Sequence, residues 1–523
     1  MFKLILVLIF AASCGRGAPA DTDAREESRE MATIESPAET DIAVPEYPPE
    51  SIPEPPPEAE PQPPGEPPMY TLAEVLEIAN ARREGLIKPG LERAEALVLG
   101  RTPQTIETWR FSAEVPRAEE ISSADALYDA EILFEIMRQV YGAYTYFGGD
   151  EVFLPIFQEI RVRLAERDYW SVANFSTLLY NNLSPAIADN HFWIDGRQLG
   201  IRYDFFITDR SFERNENGFR CTETGRYVVS AEGHNINGLF RLAMNDAGEF
   251  YYTIVVAVPR TITYYLTLVY KCGYYEELRL NRLPPATSGG SGAVTLRQIG
   301  DIPFVAIGSM GFPDSTYGFN NASARQFLEI AYELLDEPVI VVDIRGNSGG
   351  NGTLHSRFLH ILTGEVVPQN YLGLRTGSYQ GWPDIPYESV FFFLPEIVAI
   401  YAPSEPFGDY HTLRDTATDR VVENDRLIIL LTDRNSASAS DGFADALLNV
   451  ENTLIIGHNT AGVLHTDMTY PSLFLPRSGM SFGLGRAIHL HPEGHLQEGV
   501  GVAPDIWFTG RNLMTAIVNL LET

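Results

Sequence analysis

At 523 residues, 45% of them hydrophobic and 21% charged, the chain is long and apolar enough for two or three globular domains. Its formal net charge of −32 argues against a nucleic-acid partner, which would need a basic face. Part of that acidity is concentrated in one segment near the N-terminus, so the remainder is less extreme.

Residues 1–14 read as an export signal. Lys3 precedes an apolar run from Leu4 to Ala12, too short to span a bilayer, and small residues then lead to Cys14. The arrangement resembles a bacterial lipoprotein cleavage box, with Ala11 where leucine is usual. Cys14 is therefore expected to become the acylated first residue. It would anchor the protein to a membrane of the cell envelope, on the periplasmic or surface side. The competing reading is an ordinary signal peptide cut nearby. Residues 15–68 are rich in Pro, Glu, Ala and Ser and nearly devoid of large apolar side chains. Such a stretch cannot offset its own chain entropy, and it is expected to be a disordered, extended tether.

Residues 69–200 are expected to form a helical region. Leu72, Val75, Leu76 and Ile78 suggest a first helix, and Leu127–Tyr141, Val152–Glu166 and Ser171–Leu183 have helical apolar spacing. A Gly-Gly-Asp break falls at Gly148–Asp150. Over 201–285 the pattern turns to β, with β-branched and aromatic runs at Tyr251–Val258 and Tyr264–Tyr270. Cys221 and Cys272 fall in this stretch, and two cysteines in an exported chain are expected to pair. Two separate thiols are the alternative. The Gly-Gly-Ser-Gly run within Pro284–Gly292 reads as a linker. From 286 to 523 strands and helices alternate, as in an α/β layer.

Three stretches of this last region carry chemistry. In the first, the apolar run Leu427–Leu431 leads into Asp433-Arg434-Asn435-Ser436-Ala437-Ser438-Ala439-Ser440, and Phe443, Ala446, Leu447 and Val450 follow at helical spacing. Ser438 then stands at a helix start, where free N–H groups and the positive end of the helix dipole stabilise developing negative charge. The bland reading is a Ser/Ala turn with an N-cap. In the second, the apolar strand Pro338–Ile344 runs into Arg345-Gly346-Asn347-Ser348-Gly349-Gly350. The third is Gln497-Glu498-Gly499-Val500-Gly501-Val502-Ala503-Pro504-Asp505-Ile506.

In that order the stretches resemble the core of the C-terminal-processing (tail-specific) serine peptidase superfamily, from about Ile302 to Ile506 and more weakly back to Leu127. The resemblance implies an α/β fold with the spiral core shared with crotonase and the ClpP peptidase. It also implies a helical N-terminal region, and many relatives place a PDZ domain where this chain has its β-rich insertion. That domain's carboxylate-binding loop is not found here, so a degenerate PDZ or a small sandwich is expected. Ser438 matches the nucleophile, with Ser436 and Ser440 as alternatives; Ser440 is expected to cap or back-bond in the first helical turn.

In the commonest branch of the superfamily the base is a lysine twenty-five residues after the serine. Here that position is Val463, and no lysine follows Ser438. The chain is closer to the tricorn-like branch, which uses an upstream histidine oriented by a glutamate. His191, in Asp189-Asn190-His191, and Glu498 stand at the matching places. Imidazole suits the role because it takes and returns a proton near neutrality. His465 is the rival base. The oxyanion donors implied are the amides of Gly349, with Gly350 as alternative, and Ala439. His489, His491 and His495 are read as a solvated strand face rather than a metal site, and Asp343, Arg345 and Asp505 as structural. Neither metal nor cofactor is expected. The implied function is peptide-bond hydrolysis of a peptide or protein substrate, and its rival is a non-catalytic scaffold that kept the fold.

Overall fold

The computed structural model describes residues 70–86, 94–98, 106–283, 294–311, 322–376, 379–380, 403–407, 409–413, 421–467, 472–492 and 497–522. The export signal, Cys14, the tether, the 284–292 linker and His495 lie outside them.

Thr71 opens the first helix, α1 (Leu72–Glu84). Its hydroxyl accepts from Glu74 N–H at 3.3 Å, and the Glu74 carboxylate accepts from Thr71 N–H at 2.7 Å. This reciprocal cap satisfies two amides that no helical carbonyl can reach. Arg83, on the buried side of α1, donates to Thr453 and to Asp505 and so docks the helix on the core. The hydroxyls of Ser122 and Ser171 cap α2 (Ser123–Val140) and α4 (Val172–Leu183) by accepting from Asp125 and Asn174 N–H. Between them, α3 (Gly149–Leu164) begins where Gly148 adopts φ +103°, a conformation that suits glycine. The Gly-Gly-Asp break of the sequence is thus a helix boundary.

Eight strands follow: β1 (Tyr203–Ile207), β2 (Phe212–Asn215), β3 (Gly218–Cys221), β4 (Tyr227–Ala231), β5 (Phe240–Met244), β6 (Phe250–Pro259), β7 (Tyr264–Tyr270) and β8 (Tyr275–Arg282). Seven of them pair in the order β6-β1-β8-β7-β4-β3-β2, and β2 returns to β6 through Phe212 and Tyr252. The strands therefore close into a ring filled by Phe206, Phe212, Leu268 and Tyr270. Cys221 points into that filling, whereas Cys272 is exposed in the turn between β7 and β8. Both are free thiols, so the expected disulfide is not formed. A side chain packed inside the ring and one on an outer turn do not offer the close Cβ approach that a bridge needs.

The core continues with β9 (Val294–Ile299), β10 (Ile302–Ile307), α5 (Ala322–Glu333), β11 (Val339–Asp343), α6 (Thr353–Thr363), β12 (Leu427–Thr432), α7 (Ala439–Leu447), β13 (Thr453–Gly457), β14 (Ile506–Phe508) and α8 (Leu513–Glu522). Strands β10 to β14 are parallel neighbours in that order, and β14 pairs in parallel with β5. Ring and core thus share one fourteen-stranded sheet. Alternate residues face opposite layers. Val305, Ile340, Val342, Ile428, Leu430 and Ile455 pack against α5, α6 and α7. Phe304, Val341, Ile429, Leu431, Leu454 and Ile456 pack with α1, α8 and the ring interior. Burial on both faces is why these strands read as unbroken apolar runs rather than alternating ones. Each large side chain so buried, such as Phe327 stacked on Phe358 at 4.4 Å, contributes about 1.5–3 kcal/mol.

A separate cluster holds α2, α3 and α4 against strands of 473–490. Phe192 and Ile194 belong to it, with the Phe192 ring 5.1 Å from that of Tyr141. With Ile187 in the same cluster, the chain is gripped on both sides of residue 191. All described residues lie in one compact unit, Pro61–Thr523, and the architecture is mixed α/β. No helix among them is long and apolar enough to cross a membrane.

Candidate active site

The turn between β12 and α7 is built by one carboxylate. Asp433 Oδ1 accepts from Gly346, Asn435 and Ser436 amides at 2.9–3.1 Å, which ties the turn to the loop after β11. Ser436 is buried and donates its hydroxyl to Ile344 O at 2.9 Å, so that hydroxyl is consumed. Ser438 adopts φ +55°, ψ −113°, which few non-glycine residues occupy and which costs about 1–3 kcal/mol. Its amide donates to Asp441 at 2.6 Å and its carbonyl accepts from Gly442 at 2.9 Å, so both ends of the strained residue are held. Ser440 is fully buried and its hydroxyl has no hydrogen-bond partner among the described residues; the expected cap or back-bond is not made.

Across a groove of about 930 Å³, His191 Nε2 lies 3.0 Å from Ser438 Oγ. The two residues are 247 apart in sequence. His191 is 6% exposed, and its amide donates to Asp189 Oδ1 at 2.8 Å. Asp189 in turn accepts from the Tyr141 hydroxyl at 2.7 Å and from Thr466 at 3.0 Å. Burial holds the Tyr141 hydroxyl protonated far above its ordinary range, so it stays a donor. His191 Nδ1 has no hydrogen-bond partner among the described residues.

Glu498 is brought to the same place but not onto the ring. Its Oε1 accepts from Asn190 N–H at 2.8 Å, and its Oε2 accepts from Leu464 and His465 amides at 3.3 and 3.1 Å. The expected hydrogen bond from the imidazole Nδ1–H to Glu498 is absent, because both carboxylate oxygens serve main-chain donors. Burial pushes this carboxyl well above the usual range and Asp189 adds to the effect, while the amides oppose it.

The His465 ring packs against Tyr146 and His491, with Nδ1 3.9 Å from Glu498 Oε2; the imidazole bonded to Ser438 is that of His191. Val463 lines the groove beside Ser438. His489 stacks on Tyr371 at 4.2 Å with Nδ1 3.0 Å from Leu464 O, and His491 is 4% exposed. The expected solvated face is thus covered, by Tyr371 and the 464–465 loop. No cluster of three metal-ligating side chains occurs among the described residues.

In the glycine loop, Gly349 adopts φ +97°, and a Cβ there would fall 2.5 Å from Ala437 O and 2.8 Å from Ser438 Cβ. The loop therefore packs directly on the serine turn. However, Gly349 N–H donates to Asn347 Oδ1 at 2.9 Å. The expected oxyanion donor is occupied. The Gly350 and Ala439 amides make no hydrogen bond among the described residues.

Two acids escaped the sequence reading. Asp441, fully buried, accepts from Ser438, Gly462 and Val463 amides and binds the serine turn to the loop after β13. The signal was present as Ser438-Ala439-Ser440-Asp441, the spacing of a capping box. Asp189 lies in the very motif that flagged His191. Arg345 chelates Asp343, and Asp505 receives Arg82 and Arg83 at 3.1 Å; all are structural, as read.

Behind α7, His355 is 3% exposed and stacks on Phe443 at 5.6 Å. Burial pushes its imidazole down from 6.5 to about 3. Between those values the unfolded chain binds a proton that the folded chain refuses. Stability is therefore complete above about pH 6.5 and falls as the pH drops towards 3, by about 1.4 kcal/mol per unit of depression. Thermal melts from pH 7 to 4 should show this loss, and His355→Leu should flatten it. An unchanged acid slope in that variant would assign the lability to other groups.

Residues 315–508 match the model of peptidase family S41. No curated protein matches the sequence. Among solved structures, the chain is similar to mature CPAF, at 12% identity over 76% of this chain and 94% of that one, with a TM-score of 0.37. It is also similar to the photosystem II D1 C-terminal processing protease, at 14% identity over 77% and 97%, TM-score 0.33. The tricorn protease matches at 14% identity over 74% of this chain and 34% of that chain, TM-score 0.32. The family match spans β11, the serine turn and β14, and it identifies residues 315–508 as similar to peptidase family S41.

Proposed function

We propose that the protein is an exported, lipid-anchored endopeptidase in which Ser438 is the nucleophile and His191 the base. The observation that carries this reading is the 3.0 Å contact between His191 Nε2 and Ser438 Oγ at a strained serine. Neutral His191 takes the hydroxyl proton as Oγ attacks the scissile carbonyl. The tetrahedral oxyanion is met by the unengaged Ala439 and Gly350 amides, with Gly349 setting their approach. His191 then gives the proton to the leaving amine, and water hydrolyses the acyl-enzyme by the reverse transfers. Glu498 positions the base through Asn190 N–H rather than through the ring. Peptide or protein is the substrate.

The core (286–523) is read as the spiral fold of the ClpP and crotonase relatives, following a helical region (69–200) and the β-rich insertion (201–285). The tricorn-like branch is favoured by Val463 in place of lysine and by the histidine at the serine. Acylation of Cys14, at the end of the 1–14 signal, would leave 15–68 as a tether from the envelope membrane. Mass spectrometry of the mature N-terminus tests it, and a free N-terminus elsewhere than Cys14 would remove the anchor.

A fluorophosphonate probe should label Ser438 in the folded protein. The scaffold reading has one observation on its side, the unpartnered His191 Nδ1. Absence of labelling, both before and after limited proteolysis, would establish that reading instead. Gly349→Ala should slow hydrolysis at least a hundredfold, roughly, because its Cβ would displace the turn carrying Ser438 and the Ala439 amide. Wild-type kcat/KM in that variant would show that the loop yields without disturbing the serine.

A further inference from the structure

The groove that holds Ser438 and His191 is lined by Arg197, Arg202 and Arg260 and by no aspartate or glutamate. It continues into a second hollow of about 400 Å³ that shares Arg202 and Arg260 and adds Arg282, Arg434 and a single acid, Asp204. The arginines are not equivalent. Arg434 is spent on main-chain carbonyls of Gly499 and Val500 at 2.8 and 2.9 Å. Arg282 is neutralised by Asp204 at 2.6 Å, and Asp204 also accepts from Thr261 N–H. Arg197 donates to Ser176 Oγ and lies over the Tyr180 ring.

Arg202 and Arg260 differ from these. Their backbones are joined by Arg260 N–H to Arg202 O at 3.4 Å, and both side chains are exposed to the groove mouth. Arg202 reaches only the neutral Gln198 amide oxygen, at 2.9 Å. Neither guanidinium has a carboxylate partner among the described residues. Two adjacent uncompensated cations in a chain of net charge −32 form a local reversal of sign, in a concave place where the field is focused.

We infer that Arg202 and Arg260 form a specificity site for an acidic side chain of the substrate flanking the cleaved bond. The inference rests on the peptidase reading for its turnover assay but not for its binding assay. Guanidinium and carboxylate match as planar, doubly hydrogen-bonding groups. The surrounding negative charge makes this groove the place where an acidic peptide is drawn rather than repelled.

The test compares two peptides, acetylated and amidated at their ends, that differ only by Glu or Gln beside the cleaved bond. With the full-length protein, kcat/KM should favour Glu by about tenfold at low ionic strength, and the preference should shrink as salt is added. In the Arg202→Gln/Arg260→Gln double variant the Glu-to-Gln ratio should fall to near one. Equal cleavage of the two peptides by the wild type, or an unaltered ratio in the double variant, would overturn the assignment. So would a Gln peptide with a free C-terminal carboxylate that outruns the Glu peptide, since the arginines would then read a chain end. The same two peptides are titrated by fluorescence anisotropy onto Ser438→Ala. Tighter Glu binding there supports the site even if the wild type hydrolyses nothing, which would be a failure of the peptidase reading alone.

Discussion

Ser438→Ala is expected to lower kcat/KM on a cleaved peptide by about a millionfold, and His191→Ala by nearly as much. The two losses should not add. The serine is activated only through the 3.0 Å contact with His191 Nε2, so removing either partner already abolishes the unit. The double variant should therefore retain what either single variant retains, a residue owed to the oxyanion amides and to binding. Both folds should survive. Alanine at 438 removes one hydroxyl from a half-buried turn whose backbone is held by Asp441, and alanine at 191 leaves the Asn190 and Asp189 anchors in place. His465→Ala should instead shift KM, because its ring, packed against Tyr146 and His491, steadies the loop that lines the groove through Val463. Full activity in His191→Ala with none in His465→Ala would transfer the base to the loop after β13.

Glu498→Gln should cost stability as well as rate, which separates two ways in which a glutamate can serve a histidine. A carboxylate that only orients an imidazole can be replaced by an amide with the fold intact. Here the carboxylate is 2% exposed and accepts three main-chain amides from two distant segments. Glutamine has one acceptor oxygen, and its NH2 would face an amide N–H. Each buried donor left without a partner costs about 1–3 kcal/mol, so a loss of about 2–5 kcal/mol is expected in denaturant unfolding. The rate should fall about tenfold to a hundredfold as the 189–191 segment relaxes. An unchanged unfolding midpoint together with a complete loss of turnover would show that Glu498 acts on the ring after all.

Much of the site was legible because it was written in local grammar. The apolar run 427–431, the polar turn and the helical spacing from Phe443 specify strand, turn and helix whatever surrounds them. The pairing of His191 with Ser438 came from the order of motifs, since no local rule joins residues so far apart. What stayed hidden was the choice of partners among buried polar atoms. Glu498 faces amides and not the ring, and Gly349 N–H faces Asn347 and not the oxyanion. Residue type allows either outcome in both cases. The cysteine pairing failed for a related reason. An oxidising compartment would permit a disulfide, but strand alternation turns Cys221 inward. The junction of ring and core was hidden too, because β5 and β14 are short and distant and carry no mutual signature.

The placement of β14 has a consequence for the order in which the molecule can be completed. This three-residue strand follows all the others of ring and core in sequence, yet it sits between β13 of the core and β5 of the ring. Until it arrives, core and ring each present an open edge, and no ladder of hydrogen bonds joins them. Glu498 lies just upstream, so the clamp that fixes the histidine segment arrives together with the strand. A nascent or truncated chain ending before residue 506 would carry the nucleophile on a finished turn but lack the joint that steadies its base. Competence is thereby deferred until β14 has been made and docked, and a shorter polypeptide is kept from cutting its neighbours.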